Sequence, residues 1–154
     1  MTAYFFDSSA LVKRFAQERG SLFVLSLLRP SAKNRLYTAR ITEVEVCAAL
    51  ARRQKANSIN AGQAAKGLRR LRNDLPRRFM QIAINEDVIV EASRLAAAYA
   101  LRGYDAIQLA ASMKANNERM VKGLSPLIMV SADVELNDAA QAEGFNIENP
   151  NNHP

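Results

Sequence analysis

Histidine and cysteine are almost missing: the chain of 154 residues holds one of each, His153 and Cys47. A single cysteine closes no internal disulfide, and without a Cys-x-x-Cys pair or a Cys/His cluster there is no zinc site. Such usage suits a reducing cytoplasm, which is the expected location. His153 stands next to last, in an Asn/Pro tail over 151–154 that should fray. Paired-histidine ribonuclease catalysis, a Ser-His-Asp triad and a histidine-ligated catalytic metal are thereby set aside. Any catalysis must run on carboxylates, hydroxyls and cations. Long apolar runs are lacking too: none approaches the roughly 18 residues a membrane span needs. At the N-terminus, Asp7 follows Tyr4-Phe5-Phe6 where a signal peptide would continue its apolar core. The protein is expected to be neither exported nor membrane-spanning.

What is present is ordinary in amount and uneven in placement. Hydrophobic residues make up 49% and charged residues 23%, enough apolar material for one self-sufficient domain, expected over 1–150. The net charge is +6, yet the two halves are electrically opposite. Residues 1–85 hold 16 Lys/Arg against 5 Asp/Glu, whereas residues 86–154 hold 5 against 10. Between Arg52 and Arg78 stand nine bases and one acid, Asp74. That is the footprint of a surface that meets phosphates, although a charge run of this kind can equally be a solvated helix face.

Hydrophobic periodicity predicts strands at 3–6, 36–38, 79–84, 127–130 and 145–147, and helices at 8–19, 21–29, 42–55, 60–74, 86–101, 105–122 and 133–143. Short apolar strands alternating with amphipathic helices predict an α/β fold, a short, mostly parallel sheet sandwiched by helices. The apolar run Leu22–Leu28 circles its helix more completely than one core-facing stripe needs, which points to a homodimer contact.

In an open parallel sheet, ligands bind beyond the carboxyl ends of the strands, and the residues there are acidic. Asp7 follows the first strand, Asp133 follows the fourth by two small residues, and Asp105 opens a helix just after Gly103. Each alone has an ordinary explanation, because Asp is a favoured N-cap and an acid there complements the helix dipole. Together with a carboxylate from the helix starting at Thr42 they form a set whose mutual repulsion calls for a cation. Oxygen ligands without histidine or thiolate suit hydrated Mg²⁺ or Mn²⁺. Such an ion activates water and stabilises the departing oxygen of a phosphodiester. The helix offers Glu43 and Glu45, about 200° apart around the axis, so one must be a bystander. Thr42-Glu43-Val44-Glu45 also reads as a capping box, with Thr42 as N-cap and Glu45 folding back to the backbone.

Asp7-Ser8-Ser9-Ala10-Leu11-Val12-Lys13, Glu45-Val46-Cys47-Ala48-Ala49-Leu50 with Arg52-Arg53, Tyr104-Asp105-Ala106-Ile107-Gln108-Leu109-Ala110 and Ser131-Ala132-Asp133 occur in that order. In these blocks, and in its ending Glu143 to Pro150, the chain resembles PIN-domain proteins, and most of all VapC-type toxins. The resemblance spans nearly the whole chain and matches only in outline over 56–100. It implies a Mg²⁺- or Mn²⁺-dependent endoribonuclease, usually a homodimer, held inactive by a cognate antitoxin protein whose tail lies across the active site. Carried over position by position, Asp7, Glu45, Asp105 and Asp133 are the metal-binding acids, and Ser9 is a hydroxyl that orients one of them or a bound water. Ala39-Arg40 departs from the pattern, standing where a small hydroxyl residue is often seen, and Glu135 and Asp138 add acids after Asp133.

Rival readings remain. A haloacid dehalogenase-type phosphatase needs a second Asp where Ser9 stands, and a phosphoacceptor receiver domain needs a lysine after a late strand, where Ser131-Ala132-Asp133 follows instead. The alternative from another class is a catalytically weak PIN-like module that binds RNA or a protein partner through its basic face. In either case Lys66, Arg69, Arg70 and Arg72 are expected to contact RNA phosphates or an acidic part of the antitoxin.

Overall fold

The computed structural model describes residues 1–153. Five strands form one sheet: β1 (Ala3–Phe6), β2 (Arg35–Ala39), β3 (Met80–Ile82), β4 (Ile128–Val130) and β5 (Asn146–Glu148). Their order is β3-β2-β1-β4-β5 and every pairing is parallel. The helices are α1 (Ser8–Leu11), α2 (Ser21–Leu27), α3 (Thr42–Lys55), α4 (Ala61–Arg78), α5 (Glu86–Tyr99), α6 (Gly103–Val121) and α7 (Val134–Ala142). The central strand shows why two helical layers form. Consecutive side chains of a strand point to opposite faces, so Phe5 joins the core beneath α5, α6 and α7, while Phe6 joins the core beneath α1 to α4. Tyr37 and Leu36 divide in the same way, as do Met129 and Val130. Each fully buried Phe removes apolar area worth about 2–3 kcal/mol. The order also brings the ends of β1 and β4 side by side: the Asp7 N–H donates to Val130 O at 3.2 Å.

Four local expectations are corrected. The stretch 8–19 is not one helix. The single turn α1 tightens into a 3₁₀ turn over Val12–Arg14 and then breaks, because the chain must bend to Gly20, whose φ of +82° sets it against Pro150. A side chain on Gly20 would lie 2.5 Å from Pro150 O. Second, α4 does not stop before Pro76 but runs through it to Arg78. Its final turn is held by Asp74, which pairs with Arg14 at 3.1 Å and Arg78 at 3.5 Å. Third, α6 begins at Gly103, with Arg102 as N-cap, so Asp105 is the third residue of the helix rather than its opener. Fourth, the tail, expected to fray, is placed against the body of the fold as far as residue 153. Residues Pro150–Asn152 form a 3₁₀ turn, His153 stacks on Phe23 at 3.9 Å, and its Nε2 meets Glu148 Oε2 at 3.0 Å. Pro154 lies outside the described residues. On α2, Leu22 is 74% exposed whereas Val24 is buried. Among the described residues no helix is long and apolar enough to cross a membrane.

Candidate active site

Beyond the carboxyl ends of β1 and β4 lies a cleft of about 520 Å³. Asp7, Glu45, Asp105 and Asp133 all line it, together with Ser9. Two of the four acids are also helix caps, as the ordinary explanation expects of them. Asp7 Oδ1 accepts from Ala10 N at 2.9 Å and caps α1, and Asp133 Oδ1 accepts from Leu136 N at 2.9 Å and caps α7. Asp105 caps nothing.

Asp7 is 2% exposed and its oxygens are gripped by hydroxyls. Ser9 Oγ lies 2.8 Å from both of them, and Ser131 Oγ donates to Oδ2 at 3.0 Å. Ser9 in turn accepts from Ala132 N at 2.9 Å, so it bridges the end of β1 to the segment that carries Asp133. Burial pushes the Asp7 carboxyl up to about 7 despite these hydrogen bonds, and the charge of Glu45 adds to the shift. Glu45 is also raised by burial, against hydrogen bonds from Gln108 and Ser8. Asp105 is pushed up to about 6 by burial first, then by the charges of Asp133 and Glu45. Among the described residues its carboxylate has no hydrogen-bond partner.

The choice between Glu43 and Glu45 is legible in the geometry. Glu45 lines the cleft, accepting from Ser8 Oγ at 3.1 Å and Gln108 Nε2 at 2.7 Å. Glu43 lies outside the cleft lining and pairs with Arg40 on the surface. The capping box does not form: Ile41 is the N-cap of α3, without a side-chain cap bond, and Thr42 is buried inside the first turn.

Cations rim the acids. Arg52, Arg53 and Arg102 line the same cleft, as does Lys13. Lys13 Nζ donates to Glu18 Oε1 at 3.2 Å and Arg19 O at 2.8 Å, and Arg53 holds the other Glu18 oxygen at 2.9 Å. Lys66, Arg69, Arg70 and Arg72 are exposed on α4 and outside the cleft lining. Arg70 reaches a neighbouring cavity that shares Lys13 and Glu18 with the acid cleft. The residues that sequence reasoning missed are Ser8, Ser131, Gln108 and Arg102. Ser8, Gln108 and Ser131 lie within the blocks around Asp7, Asp105 and Asp133, but only their contacts distinguish them from neighbours.

The donor set is all oxygen, which fits a hard divalent cation. As they stand, no three acidic, histidine or cysteine groups among the described residues are close enough together to hold an ion directly. Carboxylates without histidine or thiolate are the donors a hard, hydrated cation takes, and among the described residues Asp105 is the one cleft acid whose carboxylate has no hydrogen-bond partner.

The fold has known counterparts. The family model described as PIN domain matches residues 4–141. Among solved structures, the chain is similar to VapBC2 from Rickettsia felis bound to a DNA fragment from their promoter, with TM-score 0.62, 10% identity, and coverage of 96% of this chain and 98% of that one. It is similar to a toxin–antitoxin complex from Klebsiella pneumoniae, with TM-score 0.56, 21% identity, and coverage of 96% and 97%. PAE2754 from Pyrobaculum aerophilum aligns with TM-score 0.64, 18% identity, and coverage of 99% and 86%. Among the curated proteins compared, none matches. The family match starts within β1 and ends at the last turn of α7, taking in all four cleft acids, and on that ground the chain belongs to the PIN domain family.

Proposed function

We propose that this chain is a divalent-metal-dependent endoribonuclease, the toxin of a toxin–antitoxin pair. The observation that carries the reading is the cleft: four carboxylates from separate elements line it beyond the strand ends, and one of them, Asp105, has no hydrogen-bond partner among the described residues and is pushed up to about 6 by burial and by its neighbours' charge. A set that repels itself in this way is poorly suited to bind phosphate without a cation. Asp7, Glu45, Asp105 and Asp133 would hold Mg²⁺ or Mn²⁺, which when bound supplies an activated water and charge stabilisation for the departing oxygen. Ser9 and Ser131 keep Asp7 in place for this task. Arg52, Arg53 and Arg102 face the phosphate that enters the cleft. Tyr104, 64% exposed at its edge, offers a ring on which an unstacked base can lie. Lys66, Arg69, Arg70 and Arg72 extend the cationic track along α4.

Two of the similar structures come from VapBC2 and a toxin–antitoxin complex, which supports a cognate antitoxin as the partner. The exposed Leu22 supports a homodimer seated on α2, and the lone Cys47 is compatible with a cytoplasmic setting. A second reading, the catalytically weak binding module, is favoured by one observation: no three of the acids are gathered closely enough to hold an ion directly. One experiment separates the two. The purified, partner-free chain is incubated with RNA in Mg²⁺, Mn²⁺ or excess chelator. Cleavage that appears with metal and stops with chelator supports the nuclease, whereas metal-independent RNA binding without cleavage supports the module.

A further inference from the structure

Gln108 stands one helical turn after Asp105 on α6 and is 1% exposed. A buried amide must place two donors and an acceptor, and an unmade hydrogen bond there costs about 1–3 kcal/mol. Its Nε2 reaches across to α3, lying 2.9 Å from Thr42 Oγ1 and 2.7 Å from Glu45 Oε1. Its Oε1 is buried with no hydrogen-bond partner among the described residues. Space-filling alone does not explain an amide that leaves its acceptor orphaned.

The neighbouring carboxylate fixes which way the amide faces. Thr38 Oγ1 is the donor to Phe6 O at 2.8 Å and to Thr42 Oγ1 at 2.9 Å. Thr42 Oγ1 accepts from Gln108 as well. Glu45 Oε1 is an acceptor too, so both amide protons are used. Turning the amide over would set Oε1 against a carboxylate oxygen. A line of bonds thus runs from Phe6 O, next to Asp7, through Thr38, Thr42 and Gln108 to Glu45. Ser8 holds the other Glu45 oxygen at 3.1 Å.

We propose that Gln108 is a positioning residue: anchored by Thr42 and Thr38 to the end of β1, it holds the Glu45 carboxylate at the cleft in the place from which a divalent cation is captured. This rests on the reading of the cleft as a metal site. Partners of metal ligands typically contribute 10–100-fold to metal affinity, and the orphaned Oε1 is the accompanying cost in stability.

The test measures Mn²⁺ binding to the full-length, RNA-free protein by calorimetry in a double-mutant cycle. Gln108→Met keeps the volume and removes the donors. It should weaken Mn²⁺ about tenfold in the wild-type background and have no further effect in Glu45→Gln, because the role runs through Glu45. If Gln108→Met does not fold, Thr42→Val removes the anchor while keeping the shape, and should show the same dependence on Glu45. Equal loss of affinity in both backgrounds, or an unchanged Kd with Glu45 intact, overturns the proposal in favour of a structural role. Wild-type affinity in Glu45→Gln alone overturns the metal-site reading, and the proposal with it.

Discussion

The layer built from α1 to α4 and the layer built from α5 to α7 each bring two acids to the cleft, and they treat them differently. Asp7 and Glu45, from the basic half of the chain, are gripped on both oxygens by Ser9, Ser131, Ser8, Gln108 and a backbone N–H. Asp105 and Asp133, from the acidic half, are held by little: one backbone N–H caps onto Asp133, and Asp105 has no bond among the described residues. The first pair is preorganised and costs desolvation to keep; the second is free to adjust. A site of this kind can present a rigid wall on one side and adapt to a hydrated ion and its phosphate on the other.

The largest test of this contrast is Asp7→Asn, which keeps the shape and removes a charge. RNA cleavage in Mg²⁺ should fall by orders of magnitude while circular dichroism stays unchanged. Full activity would break the assignment. The same variant sharpens the cost of the rigid wall. In the fold the Asp7 carboxyl is pushed to about 7 from an ordinary 3.8, so the folded state holds its proton more tightly than the unfolded chain. Metal-free stability should therefore decline as pH rises from about 4 to about 7 and level off above, by a few kcal/mol. Asp7→Asn should show a shallower decline in urea titrations run across that window. Asp105, raised to about 6 but half-exposed, should contribute less because solvent screens it. A slope that survives Asp7→Asn unchanged would place the buried charge elsewhere.

Next in size is the comparison of two neighbours on α3. Glu45→Gln should weaken Mn²⁺ binding about tenfold or more, whereas Glu43→Gln, which gives up only a surface pair with Arg40, should bind as wild type. The reverse result would move the ligand by two residues. The smallest effect concerns α4. Neutralising Lys66, Arg69, Arg70 and Arg72 in pairs should flatten the salt dependence of RNA binding by ~0.7 in log-log slope for each phosphate no longer neutralised, leaving metal affinity untouched. Unchanged slopes for RNA and for antitoxin would return this face to solvent.

Much of the architecture was legible in the spacing of apolar residues, because a strand buried on both faces and a helix with one apolar stripe leave different periods. The misses share a cause. A helix boundary depends on what a terminal backbone group meets, and that partner is remote in sequence. Pro76 looked like a stop, yet Asp74 holds the last turn of α4 through Arg14, which lies 60 residues earlier. Thr42 looked like an N-cap, but its hydroxyl is engaged by Thr38 and Gln108 instead. His153 looked like a frayed end because nothing local shows that Phe23 awaits it.

By itself the sequence determined that any catalysis would have to run on carboxylates, hydroxyls and cations, since histidine and cysteine are each present once. It determined too that acids would follow the strands and that positive charge would gather in the first half, because composition and period are local properties. Only the tertiary structure decided which acid of α3 faces the cleft, which carboxylates are gripped and which, among the described residues, is not. Those outcomes depend on hydroxyls and an amide that meet from β1, β2, α3, α6 and the segment after β4. A hydrogen bond 2.7 Å long between residues 63 apart leaves no periodic trace in the chain that makes it.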